Sequence, residues 1–191
     1  MPCRDEIFAA DQVYHLYNRG VNRSRIFSTA KNYHHLLRQV KEVLAGIPAS
    51  IFAYCLMPNH YHFVIRQEGE VPLSDFIGRL FKRYSQAYNL QEGRTGPLFA
   101  SRFRAILVDS DEYLIHLARY VHLNPVAAGL CHKPEEWPYS NYLEWIEQRN
   151  GSLINRAWVR GYFPTPQAYI SFVNAEPTIQ LVERLRPYLL E

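Results

Sequence analysis

The run SIFAYCLMPNHYHFVIR, residues 50–66, decides the fold. Residues 50–57 are almost wholly apolar and read as a buried strand. Pro58-Asn59 is a turn signal, and residues 60–66 read as a second strand. The stretch is therefore a hairpin with a short connection. Strand side chains alternate between faces, so His60 and His62 share one face and Tyr61 points to the other, toward a helix-covered core.

Working outward, QVYHLYNR (12–19) is a Tyr- and Val-rich strand that ends at Gly20. Ser28-Thr29 can cap a helix over 30–45, where Leu36, Leu37, Val40, Val43 and Leu44 fall at helical spacing. Gly46-Ile47-Pro48 stops it. Pro72 precedes a helix over 73–90 with Leu73, Phe76, Ile77, Leu80, Phe81 and Tyr84 as its apolar stripe. After a Gly-Pro loop, RFRAILV (102–108) reads as a fourth strand. Asp109, Ser110 or Asp111 caps a last helix over 111–123, and Pro125 disfavours helical geometry at Asn124. The order is β-α-β-β-α-β-α. Its first six elements match the ferredoxin-like pattern, an α+β fold with an antiparallel sheet and helices packed on one face. Beyond residue 130 the chain is rich in Trp, Tyr and Pro, then helical near 166–175 and 177–190. We expect one domain over 1–145 and a helical C-terminal extension over 146–191.

Composition sets limits. At 48% hydrophobic and 20% charged residues, the chain can fill a core and is not a disordered tail. The formal net charge of +3 is low for a protein that coats DNA non-specifically, so nucleic-acid binding has to come from local patches. Cys3, Cys55 and Cys131 are far apart and form neither a disulfide framework nor a CxxC pair, which fits a reducing cytoplasm. The N-terminus lacks a signal-peptide pattern, and no apolar run approaches the ~20 residues that span a bilayer, so no membrane partner is expected.

The chemistry-bearing residues fall in two places. His60 and His62, one residue apart on a strand, can grip one metal ion, although an HxH on a strand is more often a partly exposed surface pair. On the last helix Tyr120 and Asn124 stand at i, i+4 and share a face, beside an apolar face of Leu114, Leu117, Ala118 and Val121 that docks on the protein. Taken alone, that pair also reads as a half-buried packing tyrosine and a C-cap before proline.

Three runs in order, MPNHYHFVI (57–65), GPLFASRFRAILVD (96–109) and RYVHLNPVAAGL (119–130), resemble the single-tyrosine transposases of the HUH endonuclease superfamily, with the closest likeness to the REP-associated tyrosine transposases. The opening VYHLYNRGVNR (13–23) fits as well, and the resemblance covers about residues 12–145. It implies that His60 and His62 are the paired metal ligands, Tyr120 the nucleophile and Asn124 the third ligand. Many relatives carry Gln or His at that third position, and the residue between the two histidines here is Tyr61 rather than a small aliphatic.

The resemblance further implies a metal-dependent endonuclease and strand transferase. It would act on single-stranded DNA hairpins or repetitive palindromes through a 5′-phosphotyrosine link, as a monomer or homodimer. Two imidazoles and an amide oxygen leave a divalent ion's charge largely uncancelled. Mg²⁺ prefers oxygen and Mn²⁺ accepts nitrogen more readily, so activity is expected with both. Tyr84 and Tyr88 compete with Tyr120 as nucleophile, beside Lys82 and Arg83, and His116 lies one turn before Tyr120. Candidate DNA contacts are Arg19, Arg23 and Arg25 after the first strand, Lys82 and Arg83 on the second helix, and Arg102 and Arg104 flanking Phe103. Each can equally be a solvated polar face. Two other functions fit: a non-catalytic nucleic-acid-binding module on the same sheet, and a zinc hydrolase using His60, His62 and a water. The hydrolase lacks an HExxH-type signature.

Overall fold

The computed structural model describes residues 8–175. At its centre is a fully antiparallel four-stranded sheet of order β2-β3-β1-β4, formed by β1 (Val13–Arg19), β2 (Ala49–Met57), β3 (His60–Gln67) and β4 (Arg104–Val108). This is the ferredoxin-like α+β arrangement.

The two-residue period divides the sheet into two cores. Tyr14, Leu16, Tyr54, Leu56, Tyr61, Phe63 and Ile65 are buried under α1 (Ala30–Leu44) and α2 (Leu73–Gln91). Cys55, Met57 and Val64 belong to the second core, with Leu114, Leu117, Ala118 and Val121 of α3 (Asp111–Ala127). Thus the helices of the ferredoxin-like unit cover one face and α3 covers the other. A bulge in β2 helps to fill the second core: the register shifts between Ile51 and Ala53, and Phe52 joins Ala53 on the α3 side.

Helix ends follow local chemistry. Thr29 caps α1 in a capping box, with Asn32 Oδ1 accepting from the Ser28 and Thr29 amides. Ser110 caps α3 by accepting from the Tyr113 amide. The expected stop at Asn124 does not occur, because α3 runs on to Ala127 with Pro125 inside its last turn. Pro125 is buried, and the chain leaves the helix through Gly129, whose φ of 67° suits glycine. There the Gly129 amide donates to the Val126 carbonyl and the Leu130 amide to that of Pro125, a Schellman closure. The fourth strand starts at Arg104 rather than 102, so Arg102 lies ahead of it. Asn18 Nδ2 donates to the Ser101 carbonyl and draws the chain out of the ladder just before β4.

The C-terminal segment adds α4 (Tyr142–Trp145), α5 (Arg156–Tyr162) and α6 (Pro166–Asn174). The first two were not anticipated; α6 falls where a helix near 166–175 was expected, and the helix expected over 177–190 lies outside the described residues. Trp145, Val159, Phe163, Tyr169 and Val173 are buried in the α3 core. Residues 137–141 also close the outer edge of β2. The Leu56 amide donates to the Tyr139 carbonyl, the Trp137 indole to the Leu56 carbonyl, and the Tyr54 amide to Asn141 Oδ1.

His122 fastens this segment to α3. It is fully buried, with Nδ1 2.6 Å from the Tyr169 hydroxyl and Nε2 2.9 Å from Asn141 Oδ1. An amide oxygen only accepts, so Nε2 donates and Nδ1 accepts from Tyr169. The ring is neutral and fully bonded, and burial lowers its pKa to about 4. An unfolded histidine titrates near ~6.5, so the unfolded chain takes up the extra proton between those values. The stability is present above the unfolded value and is lost as pH falls toward 4. We expect His122 to cost the fold about 2 kcal/mol between pH 7 and pH 5. His122→Gln should lower the Tm at pH 7 and flatten its decline toward pH 5, measured by thermal denaturation at both pH values.

Candidate functional site

The Pro58-Asn59 turn places the first histidine. Asn59 Nδ2 donates to the Arg23 carbonyl, which turns Asn59 Oδ1 toward His60 Nδ1 at 2.7 Å. That oxygen only accepts, so Nδ1 carries the proton and His60 Nε2 is left with its lone pair. On α3, Asn124 Nδ2 donates to the Tyr120 carbonyl and so aims Oδ1 at His60 Nε2, 3.4 Å away. Two lone-pair atoms thus face one another across the gap between sheet and helix. Such an arrangement attracts a cation.

His62 completes the group. Its Nδ1 lies 2.9 Å from His15 Nε2, and its own Nε2 is buried without a hydrogen-bond partner. The rings of His60 and His62 stand 5.1 Å apart and perpendicular, and the Tyr120 ring meets His62 edge-on at 5.7 Å. Neither histidine is the exposed pair that an HxH usually makes: His60 is 9% exposed and His62 0%. Burial lowers the His60 pKa to about 4, with the Asn124 contact raising it and Arg19 lowering it. Burial, followed by the neighbouring His60 and His15, holds His62 well below the usual histidine range. Both are neutral at pH 7, the form that binds metals.

These donors fit a divalent ion. An octahedral ion with bonds of ~2.1 Å separates neighbouring ligands by roughly 3 Å, close to the 3.4 Å between His60 Nε2 and Asn124 Oδ1. The unpartnered Nε2 of His62 has no other satisfaction within the protein. Among the described residues no set of three His, Cys, Asp or Glu side chains could hold a metal, and the Asn124 amide oxygen is the further donor that stands beside His60 Nε2.

His60, Tyr120 and Asn124 open onto a cleft of about 640 Å³ that is also lined by Arg19, Arg23 and Arg25. The arginines are brought there by backbone hydrogen bonds. The Gly20 amide donates to the Asn59 carbonyl, and those of Ile26 and Phe27 donate to Pro58. Gly20 is needed for close approach: a Cβ there would sit 2.1 Å from the Ser24 carbonyl oxygen.

The remaining candidates lie elsewhere. Lys82 and Arg83 are exposed on α2, across the sheet from the cleft. Arg102 and Arg104 are exposed at the start of β4 and do not line the cleft. Tyr84 and Tyr88 are buried, and their hydroxyls donate to the Ile26 and Arg25 carbonyls, so they anchor the 25–28 segment from the far side of the sheet. His116, one turn before Tyr120, packs against Phe172 of α6 at 4.9 Å. Sequence reasoning passed over His15 and Asn59. The alternation of VYHLYNR puts His15 on a definite face, but only the pairing of Tyr17 with His62 brings it beside that histidine.

Fold and site together describe a ferredoxin-like sheet with a tyrosine helix laid over a histidine pair. The chain belongs to the IS200-like transposases, a family that matches residues 9–124. Among solved structures it is similar to the REP-associated tyrosine transposase bound to a REP hairpin. The likeness has 17% identity and a TM-score of 0.63, covering 82% of this chain and 98% of that one. A structure from Deinococcus radiodurans R1 described as a transposase matches at 13% identity and a TM-score of 0.43, over 63% of this chain and 95% of that one, too slight a likeness to argue from. No curated protein sequence matches. Among the described residues no helix is long and apolar enough to cross a membrane.

The close approach at Gly20 can be tested directly. Gly20→Ala should displace residues 21–26 and destabilise the fold by on the order of 2 kcal/mol. A lowered Tm, with altered amide NMR signals for Arg23, Ile26 and Asn59, is the expected result.

Proposed function

We propose that this transposase cleaves and rejoins single-stranded DNA at hairpin or palindromic ends, with Tyr120 as nucleophile and His60, His62 and Asn124 as the ligands of a Mg²⁺ or Mn²⁺ ion. The observation that carries the reading is the meeting of Tyr120 and Asn124 with His60 in one arginine-lined cleft, with His62 directly behind Tyr120. When bound, the ion would polarise the phosphodiester and offset the charge that develops on it.

The chain's own residues supply the rest. The Tyr120 oxygen attacks phosphorus, the phosphorus–O3′ bond breaks, and the leaving O3′ ends as a hydroxyl after net transfer of the tyrosine proton. The 5′-phosphate stays on Tyr120. Attack by another 3′-hydroxyl reverses the step and returns the proton, so rejoining requires no nucleotide hydrolysis. Arg19, Arg23 and Arg25 hold phosphates at the mouth of the cleft. A hairpin partner fits the solved relative, which is bound to a REP hairpin.

Tyr120→Phe keeps the ring against His62 and removes the attacking oxygen. Labelled hairpin DNA from the chain's own genomic neighbourhood should become protein-linked with the wild type and Mn²⁺. It should not do so with Tyr120→Phe or in excess EDTA, while hairpin binding persists in the variant. An adduct on Tyr120→Phe would place the nucleophile elsewhere. No wild-type adduct on any such hairpin would favour the non-catalytic binding module. The arginines have a separate readout. Replacing Arg19 and Arg23 together by Ala should weaken binding and reduce the slope of log affinity against log salt by about 1.4, as expected for two lost phosphate contacts on a single strand. An unchanged slope would make the turn a solvated loop.

A further inference from the structure

His62 differs from His60 in what holds its second nitrogen. His60 gives its Nδ1 proton to an amide oxygen, Asn59 Oδ1, which can only accept. His62 Nδ1 instead meets another imidazole, His15 Nε2, at 2.9 Å. Both rings are 0% exposed, so water cannot take the place of either partner. His15 comes from β1, where the antiparallel register sets Tyr17 opposite His62. The three rings form a stack: His15 lies 4.8 Å from Tyr17 at 26° and 5.1 Å from His62 at 17°, and Tyr17 lies 5.9 Å from His62 at 23°.

A neutral imidazole pair joined through one such contact has two proton arrangements. In the first, His15 Nε2–H donates to His62 Nδ1. The His62 proton then sits on Nε2, a buried donor with no acceptor, aimed where a ligand lone pair is needed. In the second, His62 Nδ1–H donates to His15 Nε2, and His62 Nε2 is a bare lone pair. Only the second can ligate a cation. The stack restrains both rings from turning away from this contact.

We propose that His15 is a positioning residue. It accepts the Nδ1 proton of His62 and thereby holds His62 Nε2 open toward the metal, as Asn59 does for His60. The inference rests on the metal-dependent reading above. His15 touches neither ion nor DNA. It acts through the tautomer of its neighbour, as partners of metal-bound histidines do. Its own ring must then carry the proton on Nδ1.

Two measurements separate this from a packing role and from failure of the metal reading. First, long-range ¹H–¹⁵N NMR of the metal-free wild type should show a protonated Nδ1 and a bare Nε2 on His62, and the same on His60. A His62 protonated at Nε2 overturns the proposal, whatever the protein does with metal. Second, Mn²⁺ binding by His15→Gln and His15→Phe is followed by electron paramagnetic resonance without DNA. Gln offers an acceptor oxygen near the place of the lost Nε2, whereas Phe keeps the ring and has none. We expect His15→Phe to weaken Mn²⁺ by about 10–100-fold and His15→Gln to stay within about threefold of wild type. Equal losses in both variants, or no loss in His15→Phe, overturn it. If His15→Phe does not fold, the Gln variant and the wild-type tautomer decide. If wild type has the expected tautomer and binds no Mn²⁺, the metal reading fails, and with it the purpose assigned to His15.

Discussion

The β2–β3 turn is the point on which the site's geometry rests. Pro58 and Asn59 offer carbonyls to the Gly20, Ile26 and Phe27 amides, and the Asn59 side chain bridges the Arg23 carbonyl and His60 Nδ1. One two-residue turn thus sets the position of the arginine segment, the start of the histidine strand and the tautomer of the first histidine. Backbone groups at such a turn must be paired when they are withdrawn from water, and here the pairing partners are the elements that form the cleft. From the opposite side of the sheet, Tyr84 and Tyr88 grip Ile26 and Arg25 and keep the same segment from lifting.

Electrostatics at the site come from burial more than from charge. The net charge of +3 is small, and among the described residues no acidic side chain lines the cleft. Neutral histidines are therefore not the product of neighbouring cations alone. His62 sits under Tyr120 in the second core, and desolvation is the first cause of the lowered pKa of His15, His60 and His62. In the proposed reaction the cationic side chains at the rim would meet phosphate, while the histidines beneath them stay uncharged, the state a cation would require.

Much of this was legible in the residues. Periods of two and of 3.6, with caps at Thr29 and Ser110, locate all four strands and α1–α3, and the alternation of HYHFVIR puts the two histidines on the face away from α1 and α2. What escaped reading depended on contacts distant in sequence. Pro125 argues locally for a helix end, yet its burial and the closure at Gly129 outweigh the hydrogen bond it lacks. The strand at Arg104 loses two residues because Asn18, 83 positions before Ser101, takes the Ser101 carbonyl. Short helices such as α4 carry little periodicity; α4 exists because Asn141 and Trp145 satisfy the carbonyl of the bulged Phe52. His15 was visible as a residue but not as a neighbour, since strand register is a tertiary fact.

The match to the IS200-like family ends at residue 124, whereas the second core continues to Val173. Its far wall is Trp145, Val159, Phe163 and Tyr169, which lie in the same core as Phe52, Val121 and α3. A fragment trimmed to the recognisable span would present that whole surface to water, with the β2 edge unpaired beside it. Such a surface invites association between copies of the fragment rather than independent folding. The portion that identifies the family and the portion that completes the second core are different lengths, and substitutions beyond residue 124 bear on a proposed reaction whose candidate chemical groups all precede them.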